Sequence, residues 1–409
     1  MPQIQGARLL ADLHRLAEFG RYKTGVHRPT YTPDDMAARH WLMGRMAEAG
    51  LEPTIDGIGT VLGRSKSSGP RLLLGSHVET QPYSGWLDGA MGVLYGLEVA
   101  RAFAEDKATA GLGIEVGAWA DEEGHYGSLL GSRSFCGELT EAQIDATRNR
   151  QNGKPLREAL AEAGLAGKPR ERLDPKRYVG YLEAHVEQGD TLDSGGLKLG
   201  IVTGIVGIHL YNLTFHGQQN HAGTTRMAVR KDAGVALIKF CNTIEERFPR
   251  VVGPRSVWTT GKITLDPGAP SVIPGKAEML FQFRDVEPER LALLERTLEG
   301  LVAEANARGP CRVELEVVSR TPPHAMDPRF QDALEAAAER RAPKLHTRLP
   351  SAAGHDAQTF ARHIPAGMLF VPSIAGVSHH YTEDTKEDDI VLGCQTFADA
   401  AAEILRKAA

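Results

Sequence analysis

The stretch GSHVETQPYSGWLDGAMGV, residues 75–93, sets His77, Glu79 and Asp88 among glycines just after the apolar run 71–74. Where such a run is a strand ending at His77, Glu79 lies on the same side of the extended chain. A metal-bound imidazole gives its second N–H to a carboxylate, and Glu79 is the expected partner. The same residues also read as a solvated turn with Asp88 capping the next helix. Three further stretches bear on the choice. WADEEGHYGS follows the run 113–118 and carries the pair Glu122-Glu123, in which one glutamate can bind metal while the other handles the proton of a bound water. YLEAHVEQG sets His185 and Glu187 two apart, and FVPSIAGVSHHYTED ends an apolar run at His379-His380 with Glu383 nearby. Each alone is an ordinary polar loop. Together they offer three imidazoles and two or three carboxylates, a donor set for Zn²⁺, Mn²⁺ or Co²⁺. There are donors enough for two ions about 3.5–4 Å apart, bridged by one carboxylate. The expected chemistry is hydrolysis at a dinuclear centre.

Four such endings need strands that deliver them to one crevice. The runs 71–74, 113–118, 178–182 and 367–371 alternate with helical stretches at 7–19, 33–49, after Asp88, and at 327–340. That rhythm predicts an α/β domain, a mostly parallel sheet with helices on both faces, whose ligands gather at the carboxyl ends of the strands. Near Gly204 the texture changes. Residues 208–215 alternate apolar and polar, a helix follows at 232–247, then strands at 256–265 and 277–284, a helix at 287–307 and a strand at 311–318. This is the β-α-β-β-α-β order of the split βαβ sandwich. One catalytic domain, 1–206 and 323–409, is therefore expected to be interrupted by a smaller α+β domain at 207–322.

The totals agree with this division. A chain of 409 residues suits about two domains. Its net charge of -5 is mild and its basic residues are scattered, which argues against nucleic acid or an anionic membrane surface as partner. No run approaches the roughly 18–20 apolar residues of a spanning helix. Residues 1–5, MPQIQ, carry no signal pattern. Cys136, Cys241, Cys311 and Cys394 stand far apart without a CxxC, so a reducing cytoplasm is expected and any metal must be held by His and carboxylates.

Taken in order, these motifs resemble the dinuclear-metal aminoacylase and carboxypeptidase clan. Within it they are similar to the N-carbamoyl-L-amino-acid hydrolase, β-ureidopropionase and allantoate amidohydrolase family. The similarity runs from GVHRPTYTPDD through GSHVETQP, GWLDGAMGVLYGLE, DEEG, GSRSFCG, HVEQG, GIVTGIVG and NHAGTTRM to AGHDA and FVPSIAGVSH. It implies that His77, Asp88 and His185 hold one divalent ion and that Asp88, Glu123 and His379 hold the other, with Asp88 as the bridge. Glu122 falls at the general base. His221 matches a histidine of the inserted domain that reaches a partner subunit's active site and stabilises the oxyanion. Gln188 and Arg284 match substrate contacts, the arginine binding a carboxylate, and Ser271 stands beside that carboxylate where asparagine is common.

Other positions also depart from the family pattern. Glu79 replaces an aspartate, Gln282 an aspartate, Arg226 a proline and Ala352 a glycine. The implied protein is a homodimer formed through the inserted dimerisation and lid domain, acting on a small ureido or amide substrate that carries a carboxylate. Cleavage of the carbamoyl C–N bond is the leading reading. An aminoacylase, dipeptidase or specialised amidase of the same clan is the alternative. The full ligand set and Glu122 argue against a binding protein that merely retains the fold.

Overall fold

A computed structural model describes residues 1–109 and 111–408. Its chain divides into two compact units, Met1–Thr203 with Ala325 onward, and Gly204–His324. The smaller unit thus opens at Gly204 rather than 207 and closes at His324 rather than 322.

Among the described residues, the larger unit is built on a nine-stranded sheet. Its principal strands are β1 (Glu52–Ile55), β2 (Val61–Arg64), β3 (Arg71–His77), β4 (Gly113–Trp119), β5 (Tyr178–Val186), β6 (Leu199–Ile205) and β7 (Ala366–Val371), in the spatial order β6-β7-β5-β3-β4-β2-β1. The centre is parallel: β7 with β5, β5 with β3, and β3 with β4. Its flanks are antiparallel, β6 on β7 at one side and β4-β2-β1 at the other. The sheet is mixed where the sequence predicts it mostly parallel. Pro53 and the glycines at 57, 59 and 63 break the apolar pattern of the β1–β2 hairpin and hide it.

The central strands also run further than their apolar cores suggest. β3 extends to His77 and β5 to Val186, so Ser76, His77, Glu183 and His185 are polar residues buried inside strands. Burial on both faces needs a cover on each side. One cover is the helix Ala90–Glu105, all but its last two residues buried. Gly92 lets it lie down on the sheet: a Cβ there would meet the Ala184 carbonyl oxygen at 2.3 Å. The helix Pro33–Glu48 starts as its sequence dictates, with the Thr32 side chain accepting from the Asp35 N–H, proline in the first turn, and Asp34 and Asp35 at the positive end of the dipole. β6 leads out of the larger unit, and the chain returns beside it, with the Met326 N–H donating to the Thr203 carbonyl at 3.0 Å.

In the smaller unit, strands Gly207–His216, Val257–Asp266, Lys276–Asp285 and Arg312–Thr321 form an antiparallel sheet in the order second, third, first, fourth. Helices Ala233–Arg247 and Pro288–Arg308 connect them in the β-α-β-β-α-β sequence. One face carries Tyr211, Leu213, Phe215, Met279, Phe281 and Phe283, which pack on Leu237, Phe240, Leu294 and Leu298 of the helices. Among the described residues, no helix is long and apolar enough to cross a membrane.

Candidate metal centre and active site

The carboxyl ends of β3, β4, β5 and β7 each release a polar loop, and side chains from those strand ends and loops converge. His77, Asp88 and His185 present donor atoms within 4.8 Å of one another, and so do Asp88, Glu123 and His379. Asp88 belongs to both groups and divides its oxygens between them. Oδ1 lies 3.6 Å from His77 Nε2 and 3.0 Å from His185 Nε2, while Oδ2 lies 3.3 Å from His379 Nε2. Glu123 Oε2 is 3.9 Å from the same His379 nitrogen. The donor chemistry and the two-sided aspartate fit a pair of borderline divalent cations sharing one carboxylate.

The second nitrogens of two histidines fix the tautomer. His77 Nδ1 lies 3.0 Å from the Glu79 carbonyl oxygen and His185 Nδ1 lies 2.9 Å from that of Val186, so each Nδ1–H donates to the main chain and Nε2 is turned to Asp88. This corrects one expectation. The Glu79 carboxylate is 4.0 Å from His77 Nδ1 and is not its partner; the Glu79 backbone is. The long side chain instead accepts from Arg39 and from the Glu122 N–H, each at 2.6 Å.

Glu122 and Glu123 follow β4 outside regular strand, after Asp121 at φ +57°. Both can therefore face the same space. Glu122 Oε2 is 3.6 Å from His77 Nε2, while Glu123 is held by Gln81, whose backbone and side-chain N–H groups donate to its two oxygens at 3.1 and 2.8 Å. Burial and the neighbouring Glu123 push Glu122 well above the usual carboxylate range, and burial with Asp88 pushes Glu123 up to about 8. Asp88 goes the other way, because hydrogen bonds to His185 and His379 outweigh its burial. His77, buried, is held down to about 4. Three crowded carboxylates in a buried site favour compensation by cations.

Gln188, expected to touch substrate, points its Nε2 at Asp88 Oδ2 (3.1 Å) and His379 Nε2 (3.3 Å). Glu187 is structural, accepting from the Thr191 and Leu192 N–H groups. His380 turns to Thr382 instead. Three residues of the site carry no role in the sequence reading. Glu383 accepts from the Asp88 N–H at 3.2 Å and from the His379 N–H at 3.3 Å, tying both donor groups to one buried carboxylate. Gln81 stands in GSHVETQP and orients Glu123 as described. His355, in AGHDA, packs edge-on against the His185 ring at 4.6 Å. All three lie in motifs whose polarity was the available signal.

The remaining expected residues belong to the smaller unit. His221 pairs with Val272 on a short antiparallel ladder next to Ser271, whose carbonyl accepts from the Ala222 N–H. His221 is exposed, and its Nδ1 accepts from the Gly223 and Thr224 N–H groups at 3.0 and 3.2 Å, which leaves the ring proton on Nε2. Arg284 lies near the end of Lys276–Asp285 with its Nε 3.3 Å from Gln282 Oε1, and burial lowers its pKa.

Gly89 is a tight point of the centre. It sits at φ +66°, and a Cβ there would meet the His77 ring at 2.3 Å. Gly89→Ala is expected to displace His77, halve the bound metal per chain and lower turnover by about 10²-fold or more. Metal analysis beside a turnover assay checks it, and full metal content would contradict it.

Residues 73–403 match the description "Peptidase family M20/M25/M40". An N-carbamoyl-L-amino acid amidohydrolase of Geobacillus stearothermophilus is 33% identical over 96% of this chain and 97% of its own. An allantoate amidohydrolase of Escherichia coli is 32% identical over 94% of each chain. The crystal structure of a hydantoinase/carbamoylase family amidase from Burkholderia phymatum superposes with a TM-score of 0.93 at 50% identity, covering 100% of this chain and 99% of that one. The chain belongs to the peptidase M20/M25/M40 family, and the relatives named here, alike along nearly their whole length, are amidases and amidohydrolases.

Proposed function

We propose that this protein hydrolyses the carbamoyl C–N bond of an N-carbamoyl amino acid or a related ureido acid. The observation that carries the reading is Glu122 poised beside two donor groups that share Asp88. His77, Asp88 and His185 would hold one cation, and Asp88, Glu123 and His379 the other. Zn²⁺, Mn²⁺ and Co²⁺ all suit these donors. Bound cations would supply Lewis acidity, lowering the pKa of water toward neutrality. Glu122 accepts the proton as the water oxygen bonds to the carbamoyl carbon. The His221 Nε2–H donates to the oxygen that gains charge. Glu122 then returns the proton to the substrate nitrogen as the C–N bond breaks, freeing the amino acid. The carbamate left behind decomposes to CO₂ and ammonia. Arg284 pairs with the substrate carboxylate, with Ser271 beside it.

The test is a metal-replete assay across N-carbamoyl, allantoate, other ureido, N-formyl and N-acyl acids, with ammonia and amine measured separately. Ammonia and amine in equal amounts from N-carbamoyl substrates are expected. An organic acid released from N-acyl substrates, without ammonia from ureido ones, would move the protein to the aminoacylase side of the clan.

The homodimer is proposed through the smaller unit. Support comes from its edge strand Val257–Asp266, where Val257, Ile263 and Leu265 are exposed, and from exposed Val235 and Ile238 on the neighbouring helix. With His221 supplied by the partner, dimers mixing His221→Ala with Glu122→Gln chains are expected to regain turnover that neither parent has. Hybrids purified as dimers yet inactive would refute the sharing. A cytoplasmic location is proposed alongside, on the four free cysteines.

A further inference from the structure

We infer that Glu79, braced by Arg39, is a positioning residue for Glu122, fixing the peptide that carries the base rather than clamping the His77 ring. The inference rests on the reading of Glu122 as that base. Arg39, Asp35 and Glu79 are all fully buried, and the arginine is held on every side. Its Nε donates to Asp35 at 3.0 Å, its Nη1 to the Gly59 and Ala118 carbonyls at 3.0 and 3.3 Å, and its Nη2 to Glu79 Oε2 at 2.6 Å. The helix Pro33–Glu48 and the end of β4 are thereby joined to one carboxylate. The other oxygen of that carboxylate accepts from the Glu122 N–H at 2.6 Å.

Downstream, the Glu122 carbonyl accepts from the Leu129 N–H at 3.2 Å. Both backbone polar groups of Glu122 are therefore tied down, one by a charge-assisted bond, and its side chain is left to face His77 Nε2 at 3.6 Å. The His77 ring has no need of the Glu79 carboxylate, because the Glu79 carbonyl already takes its Nδ1–H. Side-chain length decides the matter. Aspartate at position 79 would be about 1.5 Å shorter and could not hold Arg39 and the Glu122 N–H together. A base displaced by that order of distance loses rate without losing affinity for substrate.

Glu79→Asp and Glu79→Gln are to be assayed for kcat, KM, metal per chain and melting temperature, alone and combined with Glu122→Gln. The expected result is kcat lower by roughly 10–100-fold, with KM changed less than about twofold and the metal complement intact. Adding either change to Glu122→Gln should lower the residual rate no further. Three results would overturn the inference: kcat unchanged, metal lost in step with kcat, or the same fold-loss in the Glu122→Gln background. If Glu122→Gln alone keeps full turnover, the base assignment has failed, and this inference falls with it for that separate reason. Should the Glu79 variants not fold, Arg39→Lys loosens the same carboxylate and is held to the same outcomes.

Discussion

Glu122→Gln is expected to lower turnover by about 10²–10⁴-fold while both cations stay bound. Glutamine keeps the size and the hydrogen-bonding reach of the side chain but cannot take a proton from water or return one to the leaving nitrogen. Glu122 stands outside both donor groups, so its loss removes no ligand. Its backbone bonds to Glu79 and Leu129 survive the change, which leaves the loop in place. The environment suits the task. Burial and Glu123 raise its pKa, and two nearby positive ions would bring it back toward neutrality, where one group can both accept and donate. Stoichiometric metal with near-normal KM and almost no ammonia release is the expected pattern. Turnover within tenfold of the parent would remove Glu122 from the mechanism.

Stripping the metal is expected to abolish turnover and to make the fold less stable as pH rises. Burial raises Glu123 to about 8 and both Glu183 and Glu383 to about 7 in the cation-free protein. Burial opposes the charge on His185, but Asp88 outweighs it and lifts the ring to about 9; a hydrogen bond to Asp88 lifts His379 to about 9 as well. A group whose folded pKa is raised stabilises fully below its unfolded pKa and loses that contribution as pH climbs through the folded value. For the three carboxylates the loss runs from about 4.5 to 7 or 8, and for the two histidines from about 6.5 to 9. His77, held to about 4, works in the opposite sense only below about 6.5. Above that pH every contribution named here has one sign. The melting temperature of chelated protein is expected to fall by roughly 5 °C or more from pH 6.5 to 9. Reloaded protein should fall less, since cations replace the missing protons. Parallel curves for the two forms would contradict the account.

The sequence carries the strands and loops of the centre because apolar runs ending in His or acidic residues are a local signal. Alternation at 208–215 likewise points to the strand Gly207–His216, whose Tyr211, Leu213 and Phe215 fill the core of the smaller unit. What it does not carry is pairing. Nothing local tells Glu79 that its carboxylate meets Arg39, forty residues earlier, and the Glu122 N–H rather than His77. Glu383 reads as one more acid in a polar loop until the fold brings Asp88 against it. The antiparallel flanks are hidden for the same reason: a strand's direction in a sheet is fixed by its neighbours, not by its own residues.

The hydrogen bond from Met326 to Thr203 bears on how such a chain was assembled. Departure and return of the polypeptide are one backbone contact apart, so a short turn in place of the intervening segment costs the sheet only its edge strand His324–Ala325 and the last two residues of β6. The larger unit is topologically closed without its guest. A truncated version joined at that seam would keep every donor atom assigned to the cations but none of His221, Ser271 or Arg284, separating ion capture from substrate selection at a single splice.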